Sequence, residues 1–201
     1  MSDEKPVVFL RGQKTILRPL MKSDMPTVVR WINDPDIREF INMPFSKTEA
    51  EEDEWFRALG RDDKNVTLAI ETLEKVFIGV MGIHEINWID RVATTGAFIG
   101  EKEYWGKGFG TDAKMILLEY AFHTLNLRKL CSRVVEYNRR SLAYSDKCGY
   151  RPDGVRKEHL FRKGRYWDQV ELAIFEEDWL PIWEMYREYG IIPKRKHGSC
   201  T

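Results

Sequence analysis

The residues with the clearest capacity for chemistry are three glycines on alternate positions, in Tyr104-Trp105-Gly106-Lys107-Gly108-Phe109-Gly110-Thr111. Glycine lets a backbone turn sharply and approach a ligand with no Cβ in the way. From Thr111 onward Ala113, Ile116, Leu117, Tyr120 and Ala121 recur at helical spacing, so the turn opens a helix. Amides of the turn and unpaired N–H groups of the first helical turn then face one point, at the positive end of the helix dipole. That is an anion site, where each amide-to-phosphate hydrogen bond is worth roughly 1.5–3 kcal/mol. Two familiar phosphate motifs do not fit it. A G-x-x-x-x-G-K-[ST] loop fails because Glu101 stands where its first glycine belongs and Gly108 follows Lys107. A G-x-G-x-x-G fingerprint fails by one residue, and the preceding strand sits in an antiparallel meander. Nucleotide hydrolysis and nicotinamide chemistry are therefore disfavoured.

The elements that must hold this turn can be read around it. Thr15 to Arg18 reads as a first strand ended by Pro19. A helix capped by Ser23 or Asp24, with Pro26 in its first turn, runs through Val28, Val29, Trp31 and Ile32 and stops at Asn33-Asp34-Pro35. Ser46-Lys47-Thr48-Glu49 has capping-box form for a second helix that reaches Gly60. Strands follow at Val66–Glu71, Val76–Asn87 and Arg91–Gly100, joined by hairpin turns at Leu73-Glu74-Lys75 and Trp88-Ile89-Asp90. After the glycine turn and its helix come a strand over Leu130–Val135, a short helix over Arg139–Lys147 and an extended segment from Gly149-Tyr150. A last strand near Val170–Phe175 leads into a closing helix, EEDWLPIWEMYREYG, and a basic tail, IIPKRKHGSCT, expected to be poorly ordered. The pattern predicts an α+β fold, a mixed and mainly antiparallel sheet with helices on both faces. One domain is expected over residues 13–180, followed by a C-terminal helix and tail over 181–201.

Composition agrees. The chain has 201 residues, 43% hydrophobic and 32% charged, with Lys plus Arg equal to Asp plus Glu at 32 each. A zero net charge gives no overall field for nucleic acid, and the PKRKH tail is a small patch. Cys131, Cys148 and Cys200 form no metal-ligand or C-x-x-C spacing, so no metal is expected and free thiols in a reducing compartment are the simplest reading. With no signal-peptide pattern and no apolar run of spanning length, a cytoplasmic protein without membrane partners is expected.

Two further segments matter. Asn138-Arg139-Arg140-Ser141 is followed by Lys147-Cys148-Gly149-Tyr150, and Glu158 to Asp168 forms a late hairpin pattern. Strand, W-G-K-G-F-G-T, helix, strand and N-x-x-S…K-x-G-Y together resemble the GNAT family of N-acetyltransferases. In that family a [QR]-x-x-G-x-[GA] turn holds the pyrophosphate of acetyl-CoA with backbone amides. Here it falls on Trp105, Gly106, Lys107, Gly108, Phe109 and Gly110, leading into Thr111. Trp105 replaces Gln or Arg, as is frequent in the branch of ribosomal-protein N-terminal and polyamine acetyltransferases. The resemblance covers roughly residues 13–180. It implies that Arg91–Gly100 and Leu130–Val135 splay to admit the thioester. Backbone groups of Phe98, Ile99 and Gly100 would pair with the pantetheine arm, flanked by Asn138, Ser141 and Lys147. Asn138 also suits a helix N-cap.

Acetyl transfer to an amine needs a neutral amine, a polarised carbonyl and a protonated leaving thiolate. Relatives carry a tyrosine four residues before the helix-ending glycine to protonate the thiolate. That position is Ser145, with Tyr144 beside it, so both are candidate acids. Relatives often carry Glu where Thr94 stands, and Glu85, near the end of the long strand, is the candidate base. His84 reads as structural, on the face opposite Glu85 by strand alternation. Glu39, Glu49, Glu51, Glu52, Asp53 and Glu54 make the amine-facing region acidic, which suits a cationic acceptor or simply the dipole of a helix start. The expected activity is acetyl transfer from acetyl-CoA to a small primary amine such as a polyamine or aminosugar. The alternatives are a protein N-terminus as acceptor, or an acyl-CoA-binding module without turnover. Trp179, Trp183, Met185 and Tyr186 give the last helix an apolar surface for either a homodimer or packing on the sheet.

Overall fold

A computed structural model describes residues 7–41, 43–61 and 63–190. Cys200 and the basic tail from Ile191 lie outside the described residues. Eight strands form one sheet: β1 (Leu10–Arg11), β2 (Thr15–Pro19), β3 (Val66–Thr72), β4 (Phe77–Asn87), β5 (Val92–Ile99), β6 (Lys129–Val135), β7 (Arg151–Arg162) and β8 (Arg165–Phe175). Their spatial order is β1-β2-β3-β4-β5-β6-β8-β7. Every pairing is antiparallel except that of β5 with β6. The helices are α1 (Met25–Asn33), α2 (Pro35–Arg38), α3 (Glu49–Ala58), α4 (Phe109–Glu119), α5 (Arg139–Lys147) and α6 (Glu176–Tyr189).

Two cores flank the sheet. The larger packs Ala113, Ile116 and Leu117 of α4 and Trp179, Ile182 and Tyr186 of α6 on Ile83, Ala93 and Leu130. The smaller sets Val28 and Ile32 of α1 against Ala69 and Val80, with Phe98 at its edge. Helices on both faces are thus confirmed. The aromatic surface of α6 is absorbed within the chain, where Trp179, Trp183 and Tyr186 stack in series. The expected boundary at 180 falls inside α6, which belongs to the same core.

Some local expectations shift. The second helix is capped two residues later than read. Thr48 accepts from the Glu51 amide while the Glu51 carboxylate accepts from Thr48 N–H. Asp24 makes no side-chain cap bond, because its carboxylate is held by Arg18 and the Met21 amide. After Asp34 the chain does not simply stop; Asp34 caps the short helix α2. The late extended segments join into two long antiparallel strands.

Candidate active site

The glycine turn is built as a cradle. Gly106 and Gly108 adopt φ of +73° and +89°, the left-handed region that favours glycine. Gly108 is the N-cap of α4, so the first-turn amides of Phe109, Gly110 and Thr111 have no partner within the helix. A Cβ on Gly110 would meet Tyr144 and Ile99, the nearest atoms at 3.8 and 3.9 Å, which places the cradle at the open end of β5. Lys14 adds a cation, its Nζ donating to the Lys107 carbonyl at 3.1 Å. Asp112, one turn into the helix and buried, locks the cradle in place. It accepts from Thr15 N–H at 2.8 Å, Thr15 Oγ1 at 2.6 Å, Lys14 N–H at 3.0 Å and Gln13 N–H at 3.1 Å, and from the Tyr186 hydroxyl. A buried carboxylate so fully satisfied ties α4 to β2 and α6 at once.

Beside the cradle β5 and β6 part. They pair only at Val92–Lys129, Ala93–Leu130 and Thr94–Cys131, and β6 then continues against β8 as far as Val135. Thr95 closes the apex, with its hydroxyl donating to the Cys131 carbonyl at 3.2 Å and lying 2.7 Å from the Tyr150 hydroxyl. The Gly100 amide donates to the Ile78 carbonyl at 2.8 Å, so Gly100 and, by strand alternation, Phe98 turn towards β4. Ile99 and Ala97 face the gap. Ala97 was missed by sequence reading, although the period of two contains it. The Ile99 carbonyl already accepts from the Trp105 indole at 2.7 Å.

α5 supplies the other wall. Asn138 caps it, accepting from the Ser141 amide at 3.1 Å. Arg140 lies over the Trp105 ring at 4.1 Å and near Phe40 at 5.2 Å. Among the described residues it has no carboxylate partner. Lys147 does not join this wall: it is exposed, at the opposite end of α5, about 13 Å of helix from Asn138. At the capped end of α5 the cation is Arg140, on the Trp105 ring beside the glycine turn; sequence reading passed over it, although its position two after the cap was the available signal.

The Tyr144 hydroxyl is buried without a hydrogen-bond partner among the described residues. Burial holds its pKa well above the ordinary tyrosine value, so it stays protonated and keeps a proton to donate. Ser145 is 1% exposed. Below them lies Lys114, 2% exposed, its Nζ 5.6 Å from the Tyr144 ring and 5.5 Å from that of Tyr150. Burial pushes Lys114 down to about 8 and Cys148 up to about 12.

Glu85 is held in place as an anion. Arg133 donates to it at 2.8 and 3.2 Å and Thr94 Oγ1 at 3.0 Å. The Arg133 bonds hold its pKa below the usual carboxylate value, which weakens it as a base and weighs against the role read from the sequence. Strand alternation also fails here. Glu85 sits at φ +56° in a register shift between His84 and Asn87, so its side chain reaches the same face as His84, which pairs directly with Thr94. Glu85, Thr94, Cys131 and Arg133 line a cavity of about 510 Å³ at the apex. The acidic region is largely self-neutralised. Glu39 pairs with Lys163 at 2.5 Å, Asp34 and Asp36 with Lys102, and Asp53 with Arg57. Glu52 is buried, and burial raises its pKa.

The sequence profile of the acetyltransferase (GNAT) domain matches residues 14–151. The chain belongs to the GNAT acetyltransferase family. It is an N-acetyltransferase that takes its acetyl group from acetyl-CoA, as the family does. Spermidine N(1)-acetyltransferase of Vibrio cholerae is 28% identical over 165 residues, 82% of this chain and 94% of that one. The crystal structure of the Vibrio cholerae spermidine N-acetyltransferase with CoA and spermine matches with a TM-score of 0.77, covering 83% of this chain and 98% of that one at 28% identity. The putative ribosomal N-acetyltransferase YdaF of Bacillus subtilis is 29% identical over 101 residues, 50% of this chain and 55% of its own. No group of three or more His, Cys, Asp or Glu among the described residues could hold a metal, and no described helix is long and apolar enough to cross a membrane.

Proposed function

We propose that this acetyltransferase acts on a small polycationic amine of the polyamine class. The observation that carries the reading is the match to a spermidine acetyltransferase along nearly its whole length, in sequence and in fold. In this reading the Gly106–Thr111 cradle takes the pyrophosphate. The gap-facing edge of β5, at Ala97 and Ile99, lies along the pantetheine arm, with Asn138 and Ser141 opposite. The Tyr144 hydroxyl, protonated and without a hydrogen-bond partner among the described residues, donates to the leaving thiolate; Ser145 is the second candidate. Positioning against the β5 backbone supplies orientation and carbonyl polarisation. Unpaired thiols at Cys131 and Cys148 suit a cytoplasmic setting. Of the residues that motivated a dimer, Trp179 and Tyr186 are buried within the chain, whereas Met185 is exposed.

A second reading, a protein N-terminus as acceptor, draws on one feature. The cavity of about 390 Å³ between α2 and the β7–β8 hairpin is lined by Arg38, Arg162 and Lys163 against a single carboxylate, Glu39, which is a poor funnel for a polycation. Thiol release from acetyl-CoA with spermidine, spermine, an aminosugar and short peptides decides between them. Turnover with the polyamines and not the peptides is expected; the reverse preference would sink the polyamine reading.

A further inference from the structure

Of the carboxylates lining the apex cavity, Glu85 and Glu171 are paired with arginines and Asp90 accepts from Asn87. An alkyl amine of pKa ~10.4 is neutral in only about one molecule in 2,500 at pH 7, a handicap of roughly 4.6 kcal/mol. Thr94 carries no titratable group, and Glu85 is fixed to Arg133. Directly across β4 from Thr94 stands His84. Its imidazole lies on a glycine floor. Gly82 and Gly96 form a cross-strand pair, and Cβ atoms built there would come within 2.6 Å and 3.7 Å of the ring. The first contact forbids any side chain at 82 with the ring in place. Gly96 lies just past the last β5–β6 pair, so the ring sits beside the step where the two strands open. It is half-buried, and among the described residues neither ring nitrogen has a hydrogen-bond partner.

Resting on the acetyltransferase reading of this cleft, we propose that His84 is the general base that takes the proton from the acceptor amine. The neutral imidazole accepts the ammonium proton and the amine nitrogen bonds to the thioester carbon. The carbon–sulfur bond then breaks as the second N–H proton leaves to solvent; the thiolate receives a proton from Tyr144, which is restored from solvent, and His84 releases its proton to solvent. The surroundings keep the ring ready to accept. Burial lowers its pKa below the usual histidine value, the positive charge of Lys114 on α4 lowers it further and Glu85 opposes. Beyond Glu85 stands Arg133 on β6, while the Val66 carbonyl from β3, Thr94 and Gly96 do not titrate.

The test is H84Q and H84A beside the wild type, with the best acceptor of the panel and with an acceptor whose amine pKa is near 8. Removing a general base lowers turnover by roughly 10²–10⁴-fold. A loss of that size is expected with the strongly basic amine and a much smaller one with the weakly basic amine, while acetyl-CoA binding by calorimetry stays unchanged. The wild-type pH profile of kcat/KM for the weakly basic amine should carry an acid limb with a midpoint below 6.5 that vanishes in H84Q. Should either variant bind acetyl-CoA poorly, added imidazole decides: restored turnover in H84A supports the base, and no restoration overturns it. Turnover of H84Q within threefold of wild type, or an unmoved acid limb, also overturns it. A wild type that binds acetyl-CoA but releases no thiol with any amine overturns both the proposal and the reading beneath it.

Discussion

The two ends of the cleft are built on different principles. Where the proposed reading puts the cofactor the work falls to the backbone, to glycine φ angles and first-turn amides, with α4 tied to Gln13–Thr15 and α6 by the buried Asp112. Where the proposed reading puts the amine it falls to side chains in surface ion pairs, Glu39 with Lys163, Asp34 and Asp36 with Lys102, and Glu101 with Arg30. Exposed pairs of this kind contribute about 0–1 kcal/mol each and can exchange partners with a charged ligand. The difference teaches that the donor site is a rigid mould, whereas the acceptor site can be retuned without touching the fold. That is what a family with one donor and many acceptors requires.

The sharpest way to break the comparison is D112A. It removes an acceptor from Thr15, Lys14 and Gln13 amides and from two hydroxyls, leaving buried donors without partners. We expect a loss of about 3–5 kcal/mol in unfolding free energy, the range for breaking a buried charged network, read as a shift in denaturant midpoint. Acetyl-CoA affinity should fall with it. E39Q and K163M at the amine end should leave the midpoint nearly unmoved. A D112A midpoint close to wild type would show that the mould does not depend on this carboxylate.

K114M comes next in size and concerns what lies under the mould. A lysine whose folded pKa is about 8, against ~10.4 when unfolded, binds fewer protons folded than unfolded between those values. Its destabilising effect is full below about pH 8 and fades as pH rises towards ~10.4, so its own contribution to stability increases through that window. Cys148, pushed up to about 12, works in the opposite sense. The measurement is therefore the difference between wild-type and K114M stability across pH 7–10. We expect K114M to be the more stable at pH 7, by on the order of 2–3 kcal/mol, with the gap narrowing as pH rises. A gap independent of pH would show that packing, not charge, sets it.

The same division governs what could be read in the sequence. The glycine turn and the helix caps were legible because they are local: the turn at Gly106 and Gly108 and the Asn138 cap stand where the pattern put them, and β5 and β6 part as the resemblance implied. The amine end was not, because it depends on partners distant in the chain. Nothing near Glu39 points to Lys163, and nothing near Glu85 announces Arg133. His84 was misplaced for a related reason. Alternation assigns faces only while the register holds, and the bulge at Glu85 breaks it with no glycine or proline to mark it. Lys147 stands nine positions past the cap, exposed at the far end of α5, a separation set by helix length.

The finest prediction concerns Arg140, which lies on the Trp105 ring beside the glycine turn. Arg140 is an unneutralised guanidinium lying on the Trp105 indole, whose N–H is fixed to Ile99, so the ring serves as a platform that aims a cation at the cradle. Trp105 itself cannot supply charge; Arg140 can. Its loss should weaken acetyl-CoA binding by about tenfold, in line with one charge-assisted hydrogen bond to phosphate. An acetyl-pantetheine donor has no pyrophosphate to engage, so R140A should treat it as the wild type does. W105A should lose most of the same affinity, and W105A/R140A little more, because the two residues act as one unit. Equal losses with both donors would instead make Arg140 a wall of the pantetheine channel, and the cofactor end would then owe its charge recognition to backbone amides and Lys14.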